Sequence, residues 1–321
     1  MIRHFNAREL FNSFSKGVIV DEGEGRKFLQ HFDEWLQQLR PLTSHYTREE
    51  QERTGFYFRK QLWHIISCSR FLARTNLKPR GYAGDFEMMR MVYTNEYEGD
   101  TIFGRLLHKH PLESPAAQAV RNRRSMIPQV LRDLKQRLQH GNNGFKIMSV
   151  ACGPAWEMQD LFRQAGDFHE FDVTLLDQDV EALSEAAGAI ATVEKTRGEK
   201  ANVTYLNESV RTMLRTPNLT EKWGRFHFIY SMGLFDYLST PVARAVAHKL
   251  FELLIPGGEL LIGNYHVSNP TRTYMEYWMD WVLLYRTESE ILSLVQDFPS
   301  TASYVTYDNT GAQMFLRTVK P

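Results

Sequence analysis

The sequence predicts an α/β fold: a seven-stranded, mainly parallel sheet with an antiparallel C-terminal hairpin, preceded by an all-helical N-terminal part. Three observations carry that expectation. Beyond about residue 140, short apolar runs alternate with helical stretches, the pattern of βαβ units. Before that point the texture is helical only. The last two apolar runs are joined by the tight polar turn Asp308-Asn309-Thr310-Gly311, which makes them a hairpin at one sheet edge.

In the helical part, Arg26–Leu39 carries Phe28, Leu29, Phe32, Trp35, Leu36 and Leu39 at helical spacing. A second helix is expected over Arg48–Asn76, with Phe56, Phe58, Leu62, Ile65, Ile66, Phe71 and Leu72 apolar. Pro79, Gly81 and Gly84 punctuate the loop Lys78–Asp85, and helical texture resumes at Phe86–Tyr93 and Ser114–His140. Pro115 suits a first turn directly after the cap residue Ser114. The breaker Gly141-Asn142-Asn143-Gly144 sets the expected domain boundary, with 1–140 helical and 141–321 α/β.

In the second part the strands are Phe145–Cys152, Phe171–Leu176, Val203–Leu206, Phe226–Tyr230 and Glu259–Gly263, then Ala302–Tyr307 and Gln313–Val319. Helices are expected over Ala155–Gln164, Val180–Thr196, Pro241–Leu254 and Arg272–Val295.

Composition narrows the function. The chain has 321 residues, 43% apolar and 24% charged, with 38 basic and 38 acidic side chains. A balanced charge lacks the basic footprint of a nucleic-acid binder. No run approaches the ~20 apolar residues of a membrane span, and Met1–Asn6 lacks the apolar stretch of a signal peptide. Two cysteines, Cys68 and Cys152, are too few for a disulfide framework or a thiolate zinc site. His108-Lys109-His110 lacks further partners at metal-ligand spacing, so no metal is expected. A cytoplasmic protein is the expectation.

In an open parallel sheet, ligands bind beyond the carboxyl ends of the strands. After the first strand come Ala151, Cys152, Gly153, Pro154 and Ala155, small residues that let a ligand approach the backbone just before a helix N-terminus. The single glycine departs from the dinucleotide fingerprint and disfavours a nicotinamide oxidoreductase. Asp177 and Gln178 follow the second strand. A carboxylate about two dozen residues past the turn suits ribose hydroxyls, although capping the next helix is the common alternative use of Asp. Asn207, Glu208 and Ser209 follow the third strand, Ser231, Met232 and Gly233 the fourth, and Tyr265 and His266 the fifth.

This order of motifs resembles the class I S-adenosylmethionine-dependent methyltransferases, over about Phe145–Pro321 and with their Rossmann-like fold. The telling residues are Val150–Ala155, Leu176-Asp177, Asn207–Ser209 and the turn Pro256-Gly257-Gly258 before the fifth strand. The resemblance implies Ala151–Ala155 under the methionine part of S-adenosylmethionine and Asp177 on the ribose. It also implies Asn207–Ser209 beside the adenine and Ser231–Gly233 near the transferable methyl. Ser149 stands where the family has an acid, which makes Glu157 the candidate substitute as partner to the cofactor's ammonium, the alternative being simply a favourable charge at a helix N-terminus. Ala151 and Ala155 replace glycines, so the turn is expected to be wider or to keep negative φ.

The helical part, with Arg80–Asp85 and Arg121–Arg124, is similar to bacterial methyltransferases that esterify 3-hydroxy fatty acids into methyl-ester quorum signals. It would then be a substrate or lid domain, the acceptor a fatty-acid carboxylate and the by-product S-adenosylhomocysteine. Arg80, Arg121 and Arg124 would orient that carboxylate, since a planar guanidinium matches it bidentately. Tyr82 and Asp85 occupy the same glycine-bearing loop. Tyr274, Trp278, Trp281 and Tyr285 fall on one face of an expected helix, as a pocket wall, as core, or as a dimer surface. An ionised carboxylate needs no base; a hydroxyl or amine acceptor would, and Tyr265, His266 and Asp236 are then the nearest groups. O- or N-methylation of another small metabolite stays open, as does a non-catalytic sensor or partner-binding module that holds the cofactor.

Overall fold

The computed structural model describes residues 22–138, 144–163 and 167–321. The readings of Met1–Asn6 and of the breaker at 141–143 lie outside the described residues. The chain forms two compact units. The first comprises the described residues up to Gln118 together with Pro270–Val282, and the second comprises Ala119–Asn269 and Leu283–Pro321.

The first unit is helical. Helix α1 spans Glu22–Thr43 and buries Phe28 and Phe32. Helix α2, Arg48–Ile66, starts on a Thr47/Glu50 capping box. The single helix expected over Arg48–Asn76 is interrupted. Ser69 adopts an extended backbone and its side chain accepts from the Leu72 N–H, which starts α3 at Arg70–Leu77. Asp85 caps α4, Phe86–Thr94, and Thr101 caps α5, Ile102–Leu112, which the sequence reading did not name. Helix α6, Pro115–Arg137, begins here.

The expected helix over Arg272–Val295 is instead two short ones, Arg272–Trp278 and Glu288–Leu292. Asp280 takes a left-handed backbone, φ +49°, beyond the end of the first. Its carboxylate is claimed by Arg59 at 2.6 Å and Lys78 at 2.5 Å. Trp281 and Tyr285 therefore lie off the helix, and the four-residue aromatic stripe reduces to Tyr274 and Trp278. Those two enter the aromatic core of the first unit: Trp278 packs edge-on against Phe32 at 4.9 Å and Phe58 at 5.4 Å. Asn76 Nδ2 donates to the Trp278 carbonyl at 2.8 Å, and Tyr277 donates to Gln51 at 2.6 Å.

The second unit is built on one sheet. Its elements run β1 Phe145–Val150, α7 Trp156–Phe162, α8 Asp167–Glu170 and β2 Phe171–Asp177. Next come α9 Val180–Arg197, β3 Asn202–Asn207, α10 Val210–Arg215, α11 Leu219–Trp223, β4 Phe226–Ser231, α12 Thr240–Glu252 and β5 Leu254–Tyr265. The chain ends with β6 Ala302–Tyr307 and β7 Gln313–Val319. Strand order is β3-β2-β1-β4-β5-β7-β6, parallel except for β7, which runs antiparallel to both β5 and β6. The predicted seven-stranded α/β fold with its terminal hairpin is the fold observed. The Pro256-Gly257-Gly258 turn lies inside β5, where the pairing with β4 shifts register and Gly257 has φ +77°.

The central strands are apolar on both faces. Phe145, Ile147, Val173, Leu175, Phe228 and Leu261 belong to one buried layer, with Leu131 of α6 and Leu161 of α7. Met148, Val150, Leu176, Ile229, Leu260 and Ile262 belong to the other, with Val246 and Leu250 of α12. A strand covered on both sides reads as a continuous apolar run, which is how these were legible.

Asp85 supports the first unit through its charge as well as its cap. It is fully buried, accepts from the Met88 N–H at 3.0 Å, and receives a two-nitrogen grip from Arg74 at 2.7 to 3.1 Å. Asp85→Ala removes the cap and leaves a guanidinium without its buried partner, so it should lower stability by about 3 kcal/mol. Urea unfolding followed by circular dichroism measures that loss.

Candidate active site

The turn after β1 is the most constrained backbone of the second unit. Ala151, Gly153 and Ala155 have φ of +53°, +56° and +46°. The two alanines thus keep the left-handed conformation natural to glycine, against the expectation of a wider turn or negative φ. The conformation costs an L-residue roughly 1–2 kcal/mol, and the hydrogen bonds of the turn hold it. Cys152 N–H donates to the Leu176 carbonyl at 3.1 Å and Ala155 N–H to the Cys152 carbonyl at 3.2 Å. A Cβ at Gly153 would meet nothing within 4 Å, so the turn has open space beside it. Pro154 completes the turn before the first residues of α7.

Asp177, the last residue of β2, secures that turn from the next strand. Its Oδ2 accepts from the Gly153 N–H at 2.8 Å and its Oδ1 from the Asp179 N–H at 2.9 Å. Asp179, not Asp177, caps the following helix through the Glu181 N–H. Burial raises the Asp177 pKa above the ordinary carboxylate value, and the N–H groups of Asp179, Gly153 and Gln178 work against that rise. Asn207 Nδ2 donates to the carbonyls of Asp177 and Gln178 at 3.1 and 3.0 Å, linking the ends of β2 and β3. Glu208 pairs with Lys222 at 2.5 Å, and Ser209 caps α10 through the Thr212 N–H.

At the end of β4, buried Ser231 donates to the Val150 carbonyl at 2.9 Å. The Met232 carbonyl accepts from Arg123 Nη1 at 2.8 Å and Gln313 Nε2 at 3.0 Å, and the same guanidinium lies beside Gly233. Glu157 in the first turn of α7 is buried and accepts from the Tyr230 hydroxyl at 2.8 Å. Burial raises its pKa, while the Tyr230 hydrogen bond and Arg123 and Arg124 oppose the rise. Asp236 is likewise buried, accepts from the Tyr265 N–H at 2.7 Å, and is pushed up to about 7 by desolvation despite Arg123 and Arg286. Tyr265 is buried; His266 is half-buried, with Nδ1 2.6 Å from the Ser268 hydroxyl and its ring edge-on to Tyr307.

Thus Ala151–Pro154, Glu157, Asp177, Gln178, Asn207–Ser209, Ser231–Gly233, Tyr265 and His266 all lie at or just past the carboxyl ends of the parallel strands. Arg121 and Arg124 belong to α6 in the same unit, where Arg124 makes a two-nitrogen pair with Asp160 at 2.5 and 2.8 Å and covers the Trp156 ring. Arg80, Tyr82, Asp85, Tyr274 and Trp278 belong to the first unit; the Arg80 guanidinium covers the Phe86 ring at 4.5 Å.

Sequence reasoning named Arg121 and Arg124 and passed over Arg123. Only the 3.6-residue period separates their directions, and no local signal marks which one turns toward the strand ends. It weighed His110 only as a metal ligand and missed its partners: Nε2 lies 3.0 Å from Asp33 and Nδ1 3.1 Å from the Tyr274 hydroxyl. Those partners are 77 and 164 residues away in the chain. Among the described residues no group of three or more His, Cys, Asp or Glu is arranged to hold a metal ion. No described helix is long and apolar enough to cross a membrane.

Comparison with known proteins adds a family. Residues 56–222 match the model of a family described as "Putative methyltransferase". No curated protein matches the chain. Among solved structures, a possible exported protein from Bordetella parapertussis is similar over 95% of this chain and 100% of its own, at 17% identity and a TM-score of 0.62. Magnesium protoporphyrin IX methyltransferase from Synechocystis PCC 6803 with bound SAH is similar over 64% of this chain and 87% of its own, at 13% identity and a TM-score of 0.47. N-methyltransferase NodS from Bradyrhizobium japonicum WM9 in complex with S-adenosyl-l-homocysteine covers 65% of this chain and 89% of its own, at 14% identity and a TM-score of 0.42.

Two measurements test the energetics of the site. Ala151 is exposed, so Ala151→Gly removes the left-handed penalty without opening a cavity. It should raise stability by about 0.5–1 kcal/mol, the strain relieved less the added freedom of the unfolded chain. Asp236 has a folded-state pKa raised above its unfolded value, so its contribution is fully present below about pH 4 and is lost as pH rises through about 7. Thermal unfolding of Asp236→Asn should therefore gain on the wild type between pH 5 and pH 7.5.

Proposed function

The chain belongs to this methyltransferase family, and we propose that it moves a methyl group from S-adenosylmethionine to a small amphipathic acceptor. The observation that carries the reading is the left-handed turn Ala151–Ala155, clasped by Asp177 at the carboxyl ends of β1 and β2. Of these, β1 borders the point in the sheet where strand order reverses, between β1 and β4.

The residues fit such a cofactor. The side of the turn at Gly153 is open. The Asp177 carboxylate accepts from the backbone N–H groups of Gly153, Asp179 and Gln178, and of its four acceptor positions one is left for a ribose hydroxyl. Asn207–Ser209 supply polar groups for the adenine edge. Glu157, with Tyr230 on one oxygen, stands in for the acid absent at Ser149 as partner to an ammonium. Arg123 and Arg124 act on the same carboxylate, which favours a carboxylate group of cofactor or acceptor nearby. Bound, S-adenosylmethionine supplies a methyl on a sulfonium sulfur. The protein's work is to align the acceptor oxygen in line with it and to exclude water.

The finer reading is a fatty-acid carboxylate, of the 3-hydroxy type, converted to its methyl ester. What supports it is the resemblance carried by Arg80–Asp85 and Arg121–Arg124, together with the absence of any need for a base. A carboxylate is ionised above a pKa of about 4. A second reading, methylation of a hydroxyl or amine, is favoured by one observation: Asp236, buried beside Tyr265, titrates at about 7, where a general base is most effective.

The pH–rate profile separates the two. Ester formation should give a rate flat between pH 6 and pH 8 in both the wild type and Asp236→Asn. A rate that rises through pH 7 and collapses in Asp236→Asn would transfer the assignment to the hydroxyl or amine acceptor. Asp177→Ala should weaken S-adenosylhomocysteine binding by ~1–3 kcal/mol in calorimetric titration; unchanged affinity would remove Asp177 from the ribose site.

A further inference from the structure

We propose that the helical unit carries a ligand site of its own, a cavity that takes an uncharged amphipathic alcohol. The cavity measures about 440 Å³, within the usual 300–1,000 Å³ of small-molecule sites. Leu29, Asp33, Leu36 and Arg40 line it from one face of α1, at helical spacing. His110 of α5 and Tyr274 of the helix Arg272–Trp278 line it as well, and Pro115 adds to the apolar wall.

The polar end of the cavity is preorganised. The Asp33 carboxylate accepts the Nε2–H of His110 at 3.0 Å, which fixes the imidazole tautomer and leaves Nδ1 as an acceptor. The Tyr274 hydroxyl, 3.1 Å from Nδ1, therefore gives its proton to His110. What the phenol oxygen has left is lone pairs. His110 is buried and held edge-on by Phe32 at 4.6 Å, and Tyr274 by Phe32 at 5.9 Å, so the pair has little freedom to rearrange. Burial also keeps Tyr274 protonated, its pKa raised well above 10.

An acceptor fixed in this way asks for an O–H or N–H donor, and the charges in the lining choose between them. Asp33 is engaged by His110, and Glu113 by Lys109 at 2.8 Å and Asn95 at 2.9 Å. Arg40 adds positive charge to the lining. The charge Asp33 keeps beside a neutral His110 is balanced within the lining by Arg40, and that of Glu113 by Lys109, so an ammonium would have to compete with those cations, whereas a hydroxyl needs no counter-charge. Leu29, Leu36 and Pro115 then take the apolar part of the ligand. This inference does not depend on the methyl-transfer reading, and its readouts involve no methyl donor.

The test is calorimetric titration of the full chain with straight-chain primary alcohols of six to ten carbons and with the matched alkylamines. Saturable binding at one site per chain is expected for the alcohols, with the amines weaker. Tyr274→Phe should weaken alcohol binding about tenfold, the loss of one hydrogen bond. Leu36 is half-buried, and Leu36→Trp should fill the cavity and abolish binding while the circular dichroism spectrum and melting temperature stay those of the wild type. Absence of saturable binding to the wild type, preference for the amine, wild-type affinity in Tyr274→Phe, or undiminished binding in folded Leu36→Trp would each overturn the proposal.

Discussion

A single carboxylate, that of Asp177, governs the geometry of the strand ends. It reaches from β2 to a backbone N–H in the turn after β1 and to another in its own following turn. Hydrogen bonds from N–H groups to a buried charge are about twice as strong as neutral ones. That strength is what opposes the strain at Ala151 and Ala155, each of which would relax toward negative φ if the turn were loose. Asn207 extends the same clasp to β3 by donating to the main-chain carbonyls of Asp177 and Gln178. Three neighbouring strand ends are thus fixed relative to one another by side chains in addition to the sheet ladder.

The other half of the sheet uses guanidinium groups to the same end. Glu259 of β5 is fully buried between Arg137 and Arg317, an arrangement that leaves the buried carboxylate fully paired while its cations keep contact with solvent. Arg286, also buried, donates to the carbonyls of Phe235 and Leu238 and to the Asn264 side chain. It draws the segment after Asp280 back against β5, through the bridge between His266 and Arg286. Asp236 sits at this junction, with its Oδ1 on the Tyr265 N–H and its main-chain oxygen on the Leu284 N–H. Its raised pKa follows from being buried with one backbone donor where Asp177 has three, those of Gly153, Gln178 and Asp179, so less of the desolvation is offset.

The sheet was legible because each central strand buries both faces, and the alternation of short apolar runs with helical periods has few other solutions. The site was legible as a sequence of strand ends, since topology alone puts Asp177, Asn207 and Ser231 on one edge. What local pattern did not reveal depends on partners far along the chain. The helical period through Arg272–Val295 is real in the sequence, yet Asp280 is held left-handed by Arg59 and Lys78, some two hundred residues earlier, Lys78 by 202. Ala151 and Ala155 read as unable to take positive φ because the restoring force, the Asp177 clasp, belongs to another strand. Arg123 and Arg124 are adjacent and chemically identical, and only the packed helix decides that one faces Met232 and the other Asp160.

The segment Pro270–Val282 gives the helical unit an unusual birth. Its aromatic core takes Tyr274, Tyr277 and Trp278 from a stretch separated from Gln118, the last residue of the unit's N-terminal portion, by the 151 residues Ala119–Asn269. During synthesis at roughly 5–20 residues per second, the N-terminal helices therefore wait about 8–30 s for the side chains that complete their interior. Until then Phe32 and Phe58 lack the indole they pack against. The helical portion before Ala119 leaves the ribosome ahead of the sheet unit yet cannot finish folding ahead of it, and its exposed aromatic face is what chaperones would meet in the interval.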